Sequence, residues 1–215
     1  MHRRTFLAAA LMAAPFAATG QGAPQAGRDY LVLPQPQNTE TGDKVEVFEF
    51  FWYRCPHCYS LEPFLDAWVK KLPADTQFRR VPAIFDQEWA LDARLFYALE
   101  AMGELDRLHR PVFDAIHKQG GVSQKGQAYQ TWLKSWVTAQ KVDPAKLDAA
   151  MNSFTVESKM KRAAQQARAW RLDGVPALAI NGRYLVSASM VKGDQRTMLA
   201  IADQLLAQER RTAKR

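Results

Sequence analysis

The sequence predicts an α/β fold interrupted by a helical insertion, and three observations carry that expectation. Lys44 to Trp52 is a near-continuous run of strand formers, as in a sheet covered on both faces. From Glu88 to Leu172 the apolar residues recur instead at helical spacing. Sheet signals return only near the end, in Ala177 to Ile180, Asn181-Gly182 and Arg183 to Ser187. This is the strongest hairpin signature in the chain, because Asn-Gly satisfies the positive φ angles of a type I′ turn. The resulting order is a βαβ half and a ββα half with a helical block between them.

The first elements are a leader and a tether. Met1 to Leu7 supplies the charged start, and an Ala/Leu/Met-rich stretch to about Ala18 the short apolar core, of a secretory signal. A signal peptide over residues 1–23 is expected, with cleavage between residues 20 and 26. The apolar stretch is interrupted by Pro15 and is shorter than the roughly 20 residues of a membrane span. No cysteine follows it for lipid attachment, and Arg3-Arg4-x-Phe6-Leu7 fits a twin-arginine export signal as well as a plain secretory one. Residues 21–43, rich in Gly, Pro and Gln, read as a tether, with Tyr30 to Leu33 as a short edge strand ended by Pro34.

The helix that opens after Cys55 has Pro56 in its first turn, where a missing N–H costs nothing. Phe64, Leu65, Trp68, Val69 and Leu72 follow at core-facing spacing, and Pro63 should kink the helix without ending it. A second strand fits Thr76 to Val81. Helical signals then cover Glu88 to Met102, Leu105 to Lys118, Gln127 to Gln140, Pro144 to Met151 and Val156 to Leu172, punctuated by Gly103, Gly120-Gly121 and Asp143-Pro144. A closing helix is expected over Asp194 to Gln208. The domain division is therefore residues 24–85 with 173–215 for the sheet-bearing part and 86–172 for the helical insertion.

Composition narrows the function. The 215 residues are 47% hydrophobic and 24% charged, enough to bury a sizeable core in one domain or one domain with a large insertion. The formal charge of +7 falls by two when a leader carrying Arg3 and Arg4 is removed. The remaining Lys and Arg are interspersed with acids along helices. Only Arg210-Arg211-x-x-Lys214-Arg215 clusters, and it reads as a solvated tail, so no nucleic acid partner is indicated. No Gly-rich phosphate fingerprint occurs, and the aromatic and Met residues of the helices read as core rather than as a cofactor box.

Cys55-Pro56-His57-Cys58 holds the only two cysteines, directly behind the first core strand. A CxxC that ends a strand and opens a helix is a redox site, since residues i and i+3 share one helix face and their sulfurs can bond or separate with little backbone movement. Zinc would want four ligands. The histidines available are His2 in the leader, His57 itself, and His109 and His117, about 12 Å apart if helical. Haem attachment fails because Tyr59 stands where C-x-x-C-H needs histidine. A purely structural disulfide over so short a loop would contribute only about 2 kcal/mol. The expected chemistry is thus that of a redox-active Cys55-Cys58 disulfide with no metal and no other cofactor, in an exported chain where disulfides persist.

Roles within the motif follow from position. Cys55, nearer the helix N-terminus, should be the attacking thiol, its thiolate favoured by the macrodipole and the unpaired backbone N–H groups. Cys58, one turn deeper, should resolve. His57 can supply positive charge and hydrogen bonding to the Cys55 sulfur, or be only an exposed turn residue. A stabilised reduced form makes a strong oxidant. Together with the element order, the motif indicates an interrupted thioredoxin fold.

Phe48-Glu49-Phe50-Phe51 before Cys55-Pro56-His57-Cys58, with Gly174-Val175-Pro176-Ala177 ahead of Asn181-Gly182-Arg183-Tyr184, resembles the DsbA family of exported bacterial dithiol oxidases. The resemblance covers essentially the whole chain after the leader. It implies a soluble, monomeric periplasmic enzyme that gives its disulfide to newly exported cysteine-containing proteins through a mixed disulfide at Cys55, and that a membrane quinone reductase of the DsbB type reoxidises. It further implies that Glu49 is a buried acid assisting proton movement, although the residues also allow a strand-end carboxylate paired with Arg79 or Arg80. For Val175-Pro176 it implies a cis loop lying against the CxxC, the backbone of Val175 pairing with an extended substrate; a trans proline after a helix cap is the other reading. Arg54 departs from the family pattern and is expected to add a cation near Cys55. Two other activities stand beside oxidation. One is disulfide isomerisation or reduction, disfavoured because the segment before the first core strand is too short for a dimerisation domain. The other is thiol-independent chaperoning through an aromatic groove.

Overall fold

The structure, a computed structural model, describes residues 23–213, so all but the last residue of the expected leader lies outside the described residues. Five strands, β1 (Leu31–Val32), β2 (Val45–Phe51), β3 (Thr76–Pro82), β4 (Ala177–Ile180) and β5 (Tyr184–Ser187), form one sheet in the order β1-β5-β4-β2-β3. β2 and β3 run parallel and every other pair is antiparallel. β2 is an interior strand, paired on both sides and buried at every residue, as its unbroken run of strand formers predicts.

The period-2 alternation of β2 builds two cores. Val45 and Val47 pack with Leu61 and Leu65 of α1 (Pro56–Val69) and Leu205 of α7 (Gln195–Ala213). Phe48 and Phe50 face the other way, onto the helices that lie between β3 and β4: α2 (Gln87–Ala101), α3 (Leu105–Lys118), α4 (Gly126–Ala139), α5 (Pro144–Met151) and α6 (Phe154–Ala169). The predicted α/β sheet with its interrupting helical block is therefore the observed architecture. α1 continues through Pro63 as expected. Asp86, Asp143 and Ser153 cap the starts of α2, α5 and α6 through side-chain oxygens that accept backbone N–H bonds.

Element ends depart from expectation where tertiary contacts intervene. α6 stops at Ala169 rather than near Leu172, because Arg171 adopts a positive φ of 52° and Leu172 N–H returns to Ala167 O at 3.0 Å. No glycine marks that stop. α7 runs past Gln208 to Ala213. The clustered arginines expected to be a solvated tail are in part built into this helix: Arg210 pairs with Asp75 at 2.7 Å, and the neighbouring Glu209, buried, accepts from Asn181 at 2.6 Å. The hairpin has the expected positive φ at both turn residues, 46° at Asn181 and 71° at Gly182. Its register pairs Ile180 with Tyr184, so Arg183 joins the loop and β5 starts one residue late. The loop is also a docking point for the tether, since Leu33 N–H bonds Arg183 O and Gln37 N–H bonds Gly182 O, both at 2.8 Å.

Asp92 is a cost inside the insertion. It is fully buried on α2 and accepts the Tyr129 hydroxyl of α4 at 2.6 Å. Burial pushes its carboxyl up to about 7 despite that bond and the nearby Arg54.

Gly182→Ala should destabilise the fold by about 2–4 kcal/mol, since a Cβ there combines a left-handed φ with collision against the Gln37 carbonyl oxygen. Gly193→Ala, with a similar φ of 79° but open space around it, should cost only about 1–2 kcal/mol. Urea midpoints that do not separate the two would refute the docking role of the hairpin. For Asp92, the folded carboxyl keeps its proton to about pH 7, whereas an unfolded one loses it near 4. The folded state therefore holds the extra proton in that window, and stability falls as pH rises through it. Asp92→Asn should remove about 2–3 kcal/mol of that loss between pH 5 and pH 8, measured by urea titration at both values.

Candidate active site

The buried run of β2 delivers the chain to a turn closed by Cys55 N–H on Trp52 O at 3.0 Å, and Pro56 then opens α1. Cys55 is the N-cap of that helix. Its sulfur takes the capping role, accepting the Cys58 N–H at 3.3 Å. Both cysteines are free thiols here, Cys55 retaining 7% exposure and Cys58 none.

Their environments separate the two thiols. A hydrogen bond from Cys58, reinforced by the backbone N–H groups of Cys58 and His57, brings Cys55 down to about 7 against the effect of burial. Burial pushes Cys58 well above its ordinary range, and the proximity of Cys55 adds to the rise. His57 is exposed. Its backbone N–H acts on the Cys55 sulfur, and its carbonyl accepts from Ser60 and Gln195, each at 3.1 Å.

Val175-Pro176 is a cis peptide, and the Cys55 thiol donates to Val175 O at 3.5 Å. The register that pairs Phe50 with Ala177 brings this loop to the end of β2, beside the CxxC. Glu49 shares the β2 face of Val45 and Val47, so it points under α1 and is fully buried. Of the two arginines considered as its partner, the parallel register selects Arg80, which lies opposite Glu49 and donates from Nε at 3.1 Å. Arg79 serves Glu46 instead, at 2.8 Å. Burial pushes the Glu49 carboxyl well up, and the Glu62 charge adds to the rise.

Arg54 corrects an expectation. Its guanidinium is turned into the insertion, where it donates to Val122 O and Gln124 O at 3.2 and 3.0 Å, lies 3.5 Å from Glu88 and stacks over Tyr129 at 4.6 Å. The groups that lower Cys55 do not include it.

The sequence alone did not single out Tyr53, Glu62, His109 and His117 as a unit. Tyr53, two residues before Cys55, is buried between two histidines of α3: its hydroxyl meets His109 Nδ1 at 2.9 Å, and its carbonyl oxygen lies 2.8 Å from His117 Nε2. His109 and His117, weighed above only as zinc ligands, lie eight residues apart on one helix. The spacing that sets both on one face of α3 was the available signal. Among the described residues no group of three or more His, Cys, Asp or Glu side chains is placed to hold a metal ion, and no helix is long and apolar enough to cross a membrane.

Comparison with known proteins identifies the scaffold. The family model for the DSBA-like thioredoxin domain matches residues 46–203. The chain is 41% identical over 184 residues to the thiol:disulfide interchange protein DsbA of Azotobacter vinelandii, covering 86% of this chain and 84% of that one. It is 37% identical over 190 residues to the protein of the same name from Pseudomonas aeruginosa, covering 88% of each. The crystal structure of Pseudomonas aeruginosa DsbA superposes with a TM-score of 0.81 at 36% identity, over 89% of this chain and 97% of that one. The matched span runs from β2 into α7 and includes both cysteines, the insertion and the Val175-Pro176 loop, so the chain belongs to the DsbA family of thiol:disulfide interchange proteins.

Proposed function

We propose that this chain is a periplasmic dithiol oxidase, acting as a monomer, whose Cys55-Cys58 disulfide is transferred to newly exported proteins. The observation that carries this reading is the divergence of the two thiols, Cys55 at about 7 and Cys58 far above it, across a single helical turn. A client thiolate attacks Cys55 Sγ, the Cys55-Cys58 bond breaks, and its electron pair leaves on Cys58 Sγ. That sulfur is buried and takes a proton, for which the protonated Glu49 is the donor. A second client thiolate then attacks the client sulfur of the mixed disulfide and releases Cys55 as a thiolate, held by the helix N-terminal N–H groups. Two electrons thus pass from client to enzyme.

Binding of the client rests on the loop beside the nucleophile. The backbone of Val175, whose carbonyl is within reach of Cys55, pairs with an extended client segment, and Pro176 shapes the loop. Pro56 starts the helix that carries both thiols, and His57, at its exposed rim, tunes the Cys55 sulfur through its backbone N–H. Reoxidation falls to a membrane quinone reductase of the DsbB type, which accepts the two electrons. No metal or organic cofactor enters the cycle.

Redox equilibration of the purified mature protein with glutathione tests the direction of transfer. An oxidase should lie well above the roughly −180 mV of protein disulfide isomerase, and a more reducing value would assign the protein to isomerisation or reduction instead. In parallel, Cys58→Ser should accumulate client mixed disulfides at Cys55, and Cys55→Ser should accumulate none. Alkylation of the reduced protein should label Cys55 with a pH midpoint of about 7 and leave Cys58 unlabelled until unfolding. Labelling of Cys58 first would reverse the assignment of roles.

A further inference from the structure

Two buried carboxylates share one guanidinium beneath the CxxC helix. Arg80 donates from Nε to Glu49 Oε2 at 3.1 Å and from Nη2 to Glu62 Oε2 at 3.2 Å, and Nη2 also reaches Asp66 at 2.9 Å. Asp66 is half exposed, whereas Glu49 and Glu62 are both fully buried. One cation cannot neutralise three carboxylates in a low dielectric, so the Glu49 and Glu62 pair retains one proton between them. Which of the two carries it decides whether a proton lies next to the leaving sulfur.

The asymmetry between the two acids comes from the insertion. Glu62 Oε1 and His109 Nε2 lie 3.5 Å apart, and these two buried atoms have no other hydrogen-bond partner. Glu49 Oε1 is buried without a partner as well, but the ion pair of its carboxylate is with Arg80 and not with an imidazole. His109 is buried on α3 against the rings of Phe51, Phe96 and Phe113. The Tyr53 hydroxyl, which burial keeps protonated, lies 2.9 Å from His109 Nδ1, and we take it as the donor because an Nε2–H is the tautomer that suits a carboxylate at Glu62. A hydroxyl donating to Nδ1 puts the ring hydrogen on Nε2, facing Glu62. The charged and titratable groups around the imidazole are Tyr53 from the turn before α1, Glu62 and Asp66 from α1, Arg80 from β3, and Asp106 and Arg110 from its own helix, the last five lining with it one cavity of about 460 Å³. Burial and Arg80 both disfavour a charged ring, so the neutral tautomer is the resident form.

We propose that His109 is a positioning residue of the redox site: oriented by Tyr53, it directs Nε2–H to Glu62, holds Glu62 as the anion and thereby leaves the shared proton on Glu49. Glu49 lies on the β2 face that packs under α1, and its ionisation is felt at Cys58, so the proton waits where the departing Cys58 thiolate takes it, and it returns to Glu49 when Cys58 is deprotonated for reoxidation. The helical insertion, through one imidazole, therefore sets the proton inventory of a reaction carried by the sheet-bearing half. This inference rests on the redox assignment of Cys55 and Cys58 and deepens it.

Carboxyl-¹³C-labelled glutamate, with Glu49→Gln and Glu62→Gln for assignment, reads the two titrations directly by NMR. The same samples give the pH profile for reduction of the Cys55-Cys58 disulfide by a small dithiol. In His109→Leu the Glu62 midpoint should rise by at least one pH unit, a tenfold gain in proton affinity, and reduction near pH 7 should slow about tenfold. His109→Gln, which retains an N–H donor, should restore most of both. Tyr53→Phe removes a single oxygen and should shift Glu62 in the same direction by less, which preserves the test should His109→Leu not fold. Unmoved Glu62 and Glu49 titrations in folded His109→Leu, or in Tyr53→Phe, would overturn the proposal, as would a glutamine variant no better than the leucine one. A wild-type protein that exchanged no disulfide with the dithiol would instead sink the redox assignment beneath it.

Discussion

A carboxylate in the middle of a strand buried on both faces is the constraint around which this molecule is arranged. Glu49 cannot reach solvent by any turn of β2, because both faces of the strand are buried, one under α1 and α7 and the other under the insertion. An uncompensated ion at that depth costs several kcal/mol, so the fold must bring it a partner or leave it protonated. It does both. The parallel register sets Arg80 opposite, and burial together with the crowding of Glu62 and Asp66 onto the same guanidinium pushes Glu49 toward its acid form. Replacing this group of charges with apolar side chains would cost little in stability by general experience with buried ion pairs, which points to function rather than strength as the reason for it.

Above that acid, one turn of helix separates two sulfurs into unlike chemical states. Cys55 caps the helix, and the unpaired N–H groups of the first turn are available to its sulfur. Cys58 has already joined the helix, has no exposure, and meets the burial penalty without such donors. The difference stabilises the thiolate of the outer sulfur and the thiol of the inner one. Reduction thereby becomes favourable for the enzyme, and a reduced enzyme means an oxidised client.

The helical insertion is more than a cover over the sheet. His109 and His117 of α3 grip Tyr53 at its hydroxyl and its carbonyl, and the segment around Val122 and Gln124 takes the Arg54 guanidinium. Both residues lie in the short turn between β2 and Cys55. The position of Cys55 is thus set from the insertion side as well as from the sheet, and the cation next to it in sequence is directed away from its sulfur by backbone carbonyls.

The sequence by itself determined the parts that local chemistry decides. The run from Val45 to Phe51 could only be a covered strand, Pro56 behind Cys55 marked a helix start, and Asn181-Gly182 marked a turn, because each depends on hydrophobic periodicity or on a residue's own φ preference. The redox motif was legible for the same reason, being contiguous. Tertiary structure decided what depends on register and on approach across the chain. Glu49 had two neighbouring arginines within equal reach in sequence, and only the pairing of β2 with β3 chose Arg80. Arg54 looked like a cation for Cys55 until the loop before α4 supplied carbonyls for it. The end of α6 at a non-glycine residue, the extension of α7 onto Asp75, and the gathering of Tyr53, His109 and Glu62 from three elements leave no contiguous signal, since long-range contacts override local propensity and join residues that periodicity alone cannot pair.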